Sequence, residues 1–201
     1  MQYDFSRRQV IIGLGAFSLM LLSGCDDSGV PHFKFGRDLS ETLDSREFKL
    51  KDGQGKEVTL ADFRGRIPMV FFGFTQCPAI CPTTLSRAVK IKRLLGKDGD
   101  RLQVIFITLD PERDTPQMLD AYVHAFDPAF IGLSTGEEQT RKLADEYKVY
   151  YKKEPVGESY TISHTATSYV FDATGKLRLS LAHNLSAEQC AEDLRQVMKL
   201  G

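Results

Sequence analysis

From residue 47 onward, apolar and polar positions fall into blocks whose period switches between that of a strand and that of a helix. Residues 48–50 and 58–60 are short apolar-centred runs around the turn-rich loop 51–56 (KDGQGK), which predicts a β-hairpin. Residues 69–74 form a continuous apolar run of strand length, so this strand should be buried. Leu85, Ala88, Val89 and Leu95 then recur at helical spacing across 83–95, and Gly96 closes the helix. Residues 102–109 are a second apolar strand, rich in β-branched side chains. Thr115 reads as an N-cap with Pro116 at the first helical position, where a missing N–H costs nothing. Met118, Leu119, Tyr122, Val123 and Phe126 form the predicted inward stripe of that helix. A short strand over 129–133 follows. Thr135 with Glu138 reads as a capping box opening a helix to about residue 147. Runs 168–171 and 177–181 flank Asp172 to Gly175 as a hairpin. The last helix starts at Ser186, with Gln189 completing its cap and Leu185 and Cys190 as a staple; Ala191, Leu194 and Val197 face inward. This alternation predicts an α/β domain with helices on both faces of the sheet, and functional groups gathered at the carboxyl ends of the strands. Cys77 and Asp110 each follow a strand and should share that edge.

The first 24 residues break the pattern. Arg7 and Arg8 precede thirteen uncharged residues, 10–22, too few for a span of ~20 but suited to a secretory signal. Leu22-Ser23-Gly24-Cys25 resembles the lipobox of bacterial lipoproteins, which implies cleavage before Cys25 and a lipid on its sulfur. Ser6-Arg7-Arg8 loosely resembles a twin-arginine signal. Asp26 after the lipidated position resembles an inner-membrane retention signal. The expected division is therefore a signal peptide over 1–24, a polar tether over 25–44 and one domain over 45–201. The ~175 residues that remain after the signal are long enough to bury a real core. The 26 basic and 27 acidic residues are interspersed, and the net charge of −1 gives no reason to expect nucleic acid. Setting Cys25 aside, three of the four cysteines remain, too few for a disulfide framework in an exported chain.

Two of those three, Cys77 and Cys81, lie four residues apart at the mouth of a helix, each followed by a proline. On a helix such a pair has Cα atoms roughly 6 Å apart, inside the range of ~4.4–6.8 Å that a disulfide accepts. The pair can close on itself or hold a soft metal between two thiolates. Both need an accessible thiolate, and the positive end of a helix favours one. Two buried structural cysteines are the plain alternative, but the flanking prolines argue against it.

Residues 59–65 (TLADFRG), a strand and a cysteine pair opening a helix look like the thioredoxin superfamily. The three-residue spacer, the run 110–115 (DPERDT) after the next strand and His164 resemble more specifically the SCO/SenC family of copper-binding proteins, over residues 48–200. The resemblance implies a thioredoxin-like fold, with a central mixed sheet flanked by helices and an N-terminal hairpin extension. It also implies Cys77, Cys81 and His164 as ligands for Cu(I) or Cu(II), with Asp110 as an acidic residue beside the site. Where thioredoxins carry a substrate-docking cis-proline, this chain has Ala166, which weakens a general reductase reading.

Two thiolates and an imidazole suit Cu(I), which thiolates select. Zinc competes on ligand type alone, and copper is what the resemblance adds. His164 stands 83 residues beyond Cys81, which is no finger spacing. His32, His124 and His183 read as ordinary tether, helix-surface and loop residues. Asp110 and Asp114 flank Arg113 and read either as turn residues with a surface ion pair worth under ~1 kcal/mol or, for Asp110, as an orienting or partner-facing group. Arg87, Lys90, Lys92 and Arg93 make the helix after the cysteines basic, as a solvated face or a docking face for an acidic partner. Cys190 reads as a small buried hydrophobe. The leading expectation is a non-enzymatic copper chaperone for the CuA site of cytochrome c oxidase. Its partners would be the CuA-bearing subunit, a periplasmic copper donor and, through a lipid anchor, the periplasmic side of the inner membrane. A thiol–disulfide oxidoreductase that reduces the CuA cysteines, and a redox or copper sensor, are the alternatives.

Overall fold

A computed structural model describes residues 32–41 and 47–200; the expected signal peptide and Cys25 lie outside the described residues. Among the described residues, ten strands and four α-helices follow in chain order. The central sheet has six strands in the order β1 (Arg37–Asp38), β10 (Leu177–Ala182), β9 (Thr167–Phe171), β4 (Ile67–Gly73), β5 (Leu102–Thr108) and β6 (Ile131–Leu133). β4, β5 and β6 run parallel, while β9 is antiparallel to β4, β10 to β9 and β1 to β10. The mixed sheet is that of the thioredoxin-like fold expected from the sequence.

β4 and β5 are buried at every position, which is why their sequences lack alternation. Gly73 and Phe106 face α1 (Ile80–Leu95) and α2 (Pro116–His124), where Phe106 meets Tyr122. On the opposite face, Phe72 and Tyr169 pack on Tyr147, the residue that ends α3 (Glu137–Glu146). α4 (Ala187–Val197) lies against α1. The N-terminal hairpin, β2 (Lys49–Lys51) with β3 (Glu57–Thr59), is joined to the end of β6 through paired bonds between Lys51 and Ser134. Among the described residues no helix is long and apolar enough to cross a membrane.

Several local expectations hold for their stated reasons. Thr115 caps α2 with Pro116 behind it, and Ser186 and Gln189 form the capping box of α4. Asp172 Oδ1 accepts from the N–H groups of Thr174 and Lys176, which closes the β9–β10 turn with Gly175 at φ 86°. Cys190 is fully buried.

Others need correction. Residues 32–41 are not free tether. The Asp193 carboxylate accepts from the N–H groups of Lys34, Phe35 and Gly36 at 2.7–3.0 Å, and β1 then pairs with β10. The helix after the cysteines begins at Ile80 rather than residue 83, because Pro82 falls in its first turn, where its missing N–H is not needed. Met118 is 47 % exposed. It precedes Leu119 by one position, about 100° around the helix, and so leaves the stripe. α3 is capped by Gly136 without a side-chain bond, and Glu138 pairs with Lys142 instead of completing a box with Thr135. Arg87 and Lys92 are not on a free basic face. Arg87 donates to the carbonyls of Ala182, His183 and Leu185, and Lys92 pairs with Asp127, which leaves Lys90 and Arg93 exposed.

Candidate metal centre

Three elements converge at one sheet edge. β4 and β5 are parallel, so their carboxyl ends share that edge, and the Leu109 N–H donates to the Gly73 carbonyl across it. β9 is antiparallel to β4, so its start lies at the same edge, and whatever precedes β9 is delivered to the cysteines. What precedes it is a hairpin the sequence pattern did not reveal: β7 (Tyr151–Val156) paired with β8 (Ser159–His164). Its strands carry lysines, a glutamate, a proline and serines, with no sustained apolar alternation to announce them. His164 is the last residue of β8.

The cysteine loop leaves β4 and enters α1 with Cys77 half-buried and Cys81 fully buried. Gly73 makes the close approach possible. A Cβ on it would stand 2.6 Å from Cys81 Sγ and 2.9 Å from the Phe106 ring. Ala79, the N-cap of α1, offers no side-chain acceptor, and the Cys81 N–H instead points at Cys77 Sγ at 3.4 Å. The Cys77 thiol is lowered from 9.0 to about 4, first by the hydrogen bond from the Cys81 thiol and then, against burial, by the N–H groups of Cys81, Ala79 and Ile80. Cys81 is pushed up, because its proton is held by Cys77 and because it is buried. The reduced pair is thus a thiolate outside and a thiol inside.

His164 completes the group. Its Nδ1 lies 3.0 Å from the Thr165 carbonyl, a contact only Nδ1–H can make as a donor. That fixes the tautomer and leaves the Nε2 lone pair facing the sulfurs, 3.8 Å from Cys81 Sγ. The edges of Phe71 and Phe74 flank the ring. The two sulfurs and the ring nitrogen all lie within 4.8 Å of one another. Ligands at about 2.0–2.3 Å around one ion are roughly 3.5–4 Å apart, so a small closure brings this set to bonding distance of a soft metal. The set has an open side, where a groove runs between Cys77, Pro78 and Ile80 on one wall and Thr161 and Ser163 on the other.

Asp110 is not in that group. It is fully buried rather than part of a surface pair, and its carboxylate accepts from Arg113 Nε and, at 2.8 Å, from the Tyr160 hydroxyl on β8. Asp114, read from the sequence as a turn residue in a surface ion pair, is instead buried, and Arg113 pairs with Asp110. Asp114 accepts from the Thr75 N–H at 3.0 Å and the Thr108 hydroxyl at 2.6 Å, which ties the start of the cysteine loop to the end of β5. The signal for that role was its place in the loop after β5, opposite the cysteines. His183 Nδ1 lies 3.2 Å from the Thr84 hydroxyl, and burial lowers its pKa. His124 pairs with Asp120 at the surface, and His32 is exposed. Neither these histidines nor Cys190 joins the cluster.

A family model described as SCO1/SenC matches residues 38–199. An SCO2-like protein of Rickettsia felis is 34% identical over 178 residues, 83% of this chain and 82% of that protein. Among solved structures, copper-bound ScoI of Bradyrhizobium japonicum is 36% identical with a TM-score of 0.68, covering 82% of this chain and 100% of that one. Apo Sco1 of Thermus thermophilus is 34% identical with a TM-score of 0.73, covering 84% of this chain and 100% of that one.

Proposed function

The chain belongs to the SCO1/SenC family, and from that membership and the geometry of its cysteine–histidine group we propose that it is a copper-binding metallochaperone. It takes up copper through Cys77, Cys81 and His164 and delivers it to the CuA site during cytochrome c oxidase assembly. The observation that carries this reading is the His164 imidazole, with Nδ1 occupied by the Thr165 carbonyl and Nε2 turned to the two sulfurs. A dithiol that only exchanges disulfides has no use for that nitrogen. Thiolates prefer Cu(I), and the imidazole extends the set to Cu(II). The open groove lets an incoming ligand of the recipient enter before Cys77, the more exposed sulfur, lets go.

One observation favours a second activity. A thiolate on Cys77 beside a protonated Cys81 is the arrangement of a dithiol reductant. Cys77 would attack a partner disulfide and release one partner thiolate; Cys81 would then lose its proton and attack Cys77 Sγ of the mixed disulfide, releasing the second. The pair ends oxidised as a Cys77–Cys81 disulfide, and the partner ends reduced to two thiols, with one proton from Cys81 and one from water. Cys25 is proposed as the lipidated residue that holds the domain on the inner membrane, facing the periplasm, on the strength of the Leu22–Cys25 motif.

The test is oxidase activity in cells with limiting copper that carry His164→Ala or Cys77→Ser. Both variants should fail to support a CuA-containing oxidase, while His164→Ala retains thiol titration and disulfide closure. Wild-type oxidase activity with His164→Ala and none with Cys77→Ser would move the assignment to the reductase.

A further inference from the structure

His164 stands at the end of a hairpin whose two strands pair with no other strand among the described residues. A lone two-stranded hairpin is marginal in water, yet a metal ligand must be held to a fraction of an ångström. We propose that Asp110, Arg113 and Tyr160 form a latch that clamps this hairpin to the body and so sets the position of His164. The inference rests on His164 being a copper ligand, as proposed above, and names the residues that position it.

The latch is a closed triangle. Asp110, buried at the end of β5, accepts on one oxygen from Arg113 Nε and on the other from the Tyr160 hydroxyl at 2.8 Å. Arg113 closes the third side. Its guanidinium lies 3.7 Å over the Tyr160 ring, and its Nη1 donates to the Tyr160 carbonyl at 2.8 Å. Both the side chain and the backbone of one β8 residue are therefore gripped from a loop fixed to the central sheet. Outside the triangle, Glu112 pairs with Lys153 on β7.

The grip reaches the ligand through the strand period. Tyr160, Ile162 and His164 are two apart and share a face. Ile162 is 5 % exposed, and His164 pairs with Tyr151 across the hairpin. Fixing Tyr160 and burying Ile162 leaves β8 a rigid lever about 13 Å long, with the imidazole at its end. The same loop reaches the sulfurs through Asp114 and Thr75, so residues 110–114 hold both halves of the ligand set.

Tyr160→Phe tests this, because it removes one oxygen and leaves the ring beneath Arg113; Asp110→Asn is the second variant. The full chain, purified in detergent and reduced, is titrated with Cu(II) and read by the thiolate-to-copper absorption and by nitrogen coupling in the electron paramagnetic resonance spectrum. Outer-shell partners of metal ligands are typically worth 10–100-fold in affinity. Tyr160→Phe should therefore bind Cu(II) about 10-fold or more weakly, with spectra displaced toward those of His164→Ala. In the metal-free protein, amides over 159–164 should exchange faster, while Cys77 and Cys81 titrate as in wild type. Wild-type affinity and spectra in Tyr160→Phe and Asp110→Asn would overturn the latch, even if their thermal midpoints fell. A His164→Ala spectrum identical to wild type would instead overturn the ligand reading beneath it.

Discussion

Cys81 Sγ and His164 Nε2 meet at 3.8 Å although 83 positions separate them in the chain. The sheet brings them together. Cys81 follows the carboxyl end of a parallel strand, and His164 precedes the amino end of the antiparallel strand beside it. Their meeting is therefore a property of the strand order, and it places a soft donor set at the edge where this architecture puts its chemistry.

The protonation of the pair gives a pH signature. With Cys77 lowered from 9.0 to about 4, the folded chain carries one proton fewer there than the unfolded chain between those values. Cys77 thus adds stability that is complete above pH 9.0 and is lost as pH falls through about 4. Cys81 is raised, so it keeps its proton when the unfolded thiol releases it, and stability falls again as pH rises past 9.0. The thermal midpoint of the reduced, metal-free protein, relative to Cys77→Ser, should rise from pH 4 toward neutrality. Cys77 should still be alkylated rapidly at about pH 5, where an ordinary thiol is inert.

Gly73→Ala should damage the site from inside the core. The added methyl lands 2.6 Å from Cys81 Sγ and 2.9 Å from the Phe106 ring, both buried with little room to move. Overpacking of this kind costs about 1–3 kcal/mol. Urea denaturation should show that loss, and a copper titration should show weakened binding, because the displaced atom is a proposed ligand.

Asp114→Asn should loosen the cysteine loop without touching a sulfur. The change removes the charged acceptor for the Thr75 N–H and the Thr108 hydroxyl. The expected loss is about 2–3 kcal/mol. Amide exchange over residues 75–79 should accelerate, and copper affinity should fall.

Cys190→Ser separates packing from chemistry. Cys190 is fully buried and outside the ligand cluster. A hydroxyl in its place should cost about 1–3 kcal/mol, seen as a lower thermal midpoint, with copper stoichiometry and spectra unchanged.

Cys25→Ser tests the proposed anchor. Cells grown with labelled palmitate should incorporate label into the wild-type protein and not into the variant, which should leave the membrane fraction.

What could be read in advance follows from what each signal depends on. β4 and β5 are legible because strands buried on both faces are written as unbroken apolar runs, and Cys77 and Cys81 because four-residue spacing at a helix start is local. The β7–β8 hairpin is not legible. Besides the pairing of its own strands it meets the body through polar bonds from Tyr160 to Asp110 and Arg113 and through Ile162, its one buried side chain, so residues 151–164 carry no long apolar stripe. Met118 misled because four apolar residues in a short helix span more than one face, and only packing decides which one leaves it. β1 was hidden for a similar reason: the N–H groups of Lys34, Phe35 and Gly36 just before it dock on Asp193, and β1 itself joins β10 by backbone pairing, not through an apolar pattern. Asp110 and Asp114 drew attention by position, but their separate duties depend on which distant residue each one reaches.

The turn at Gly157 and Glu158 lies at the far end of the hairpin, beyond Val156, which is 59 % exposed, while His164 pairs with Tyr151 at its base. Loop length at this tip is thereby uncoupled from ligand placement. A reporter peptide or fluorophore grafted between Gly157 and Glu158 would extend outward without altering the register at the base. The hairpin so offers a point at which the chain can be lengthened, labelled or tethered while the ligand set stays as it is.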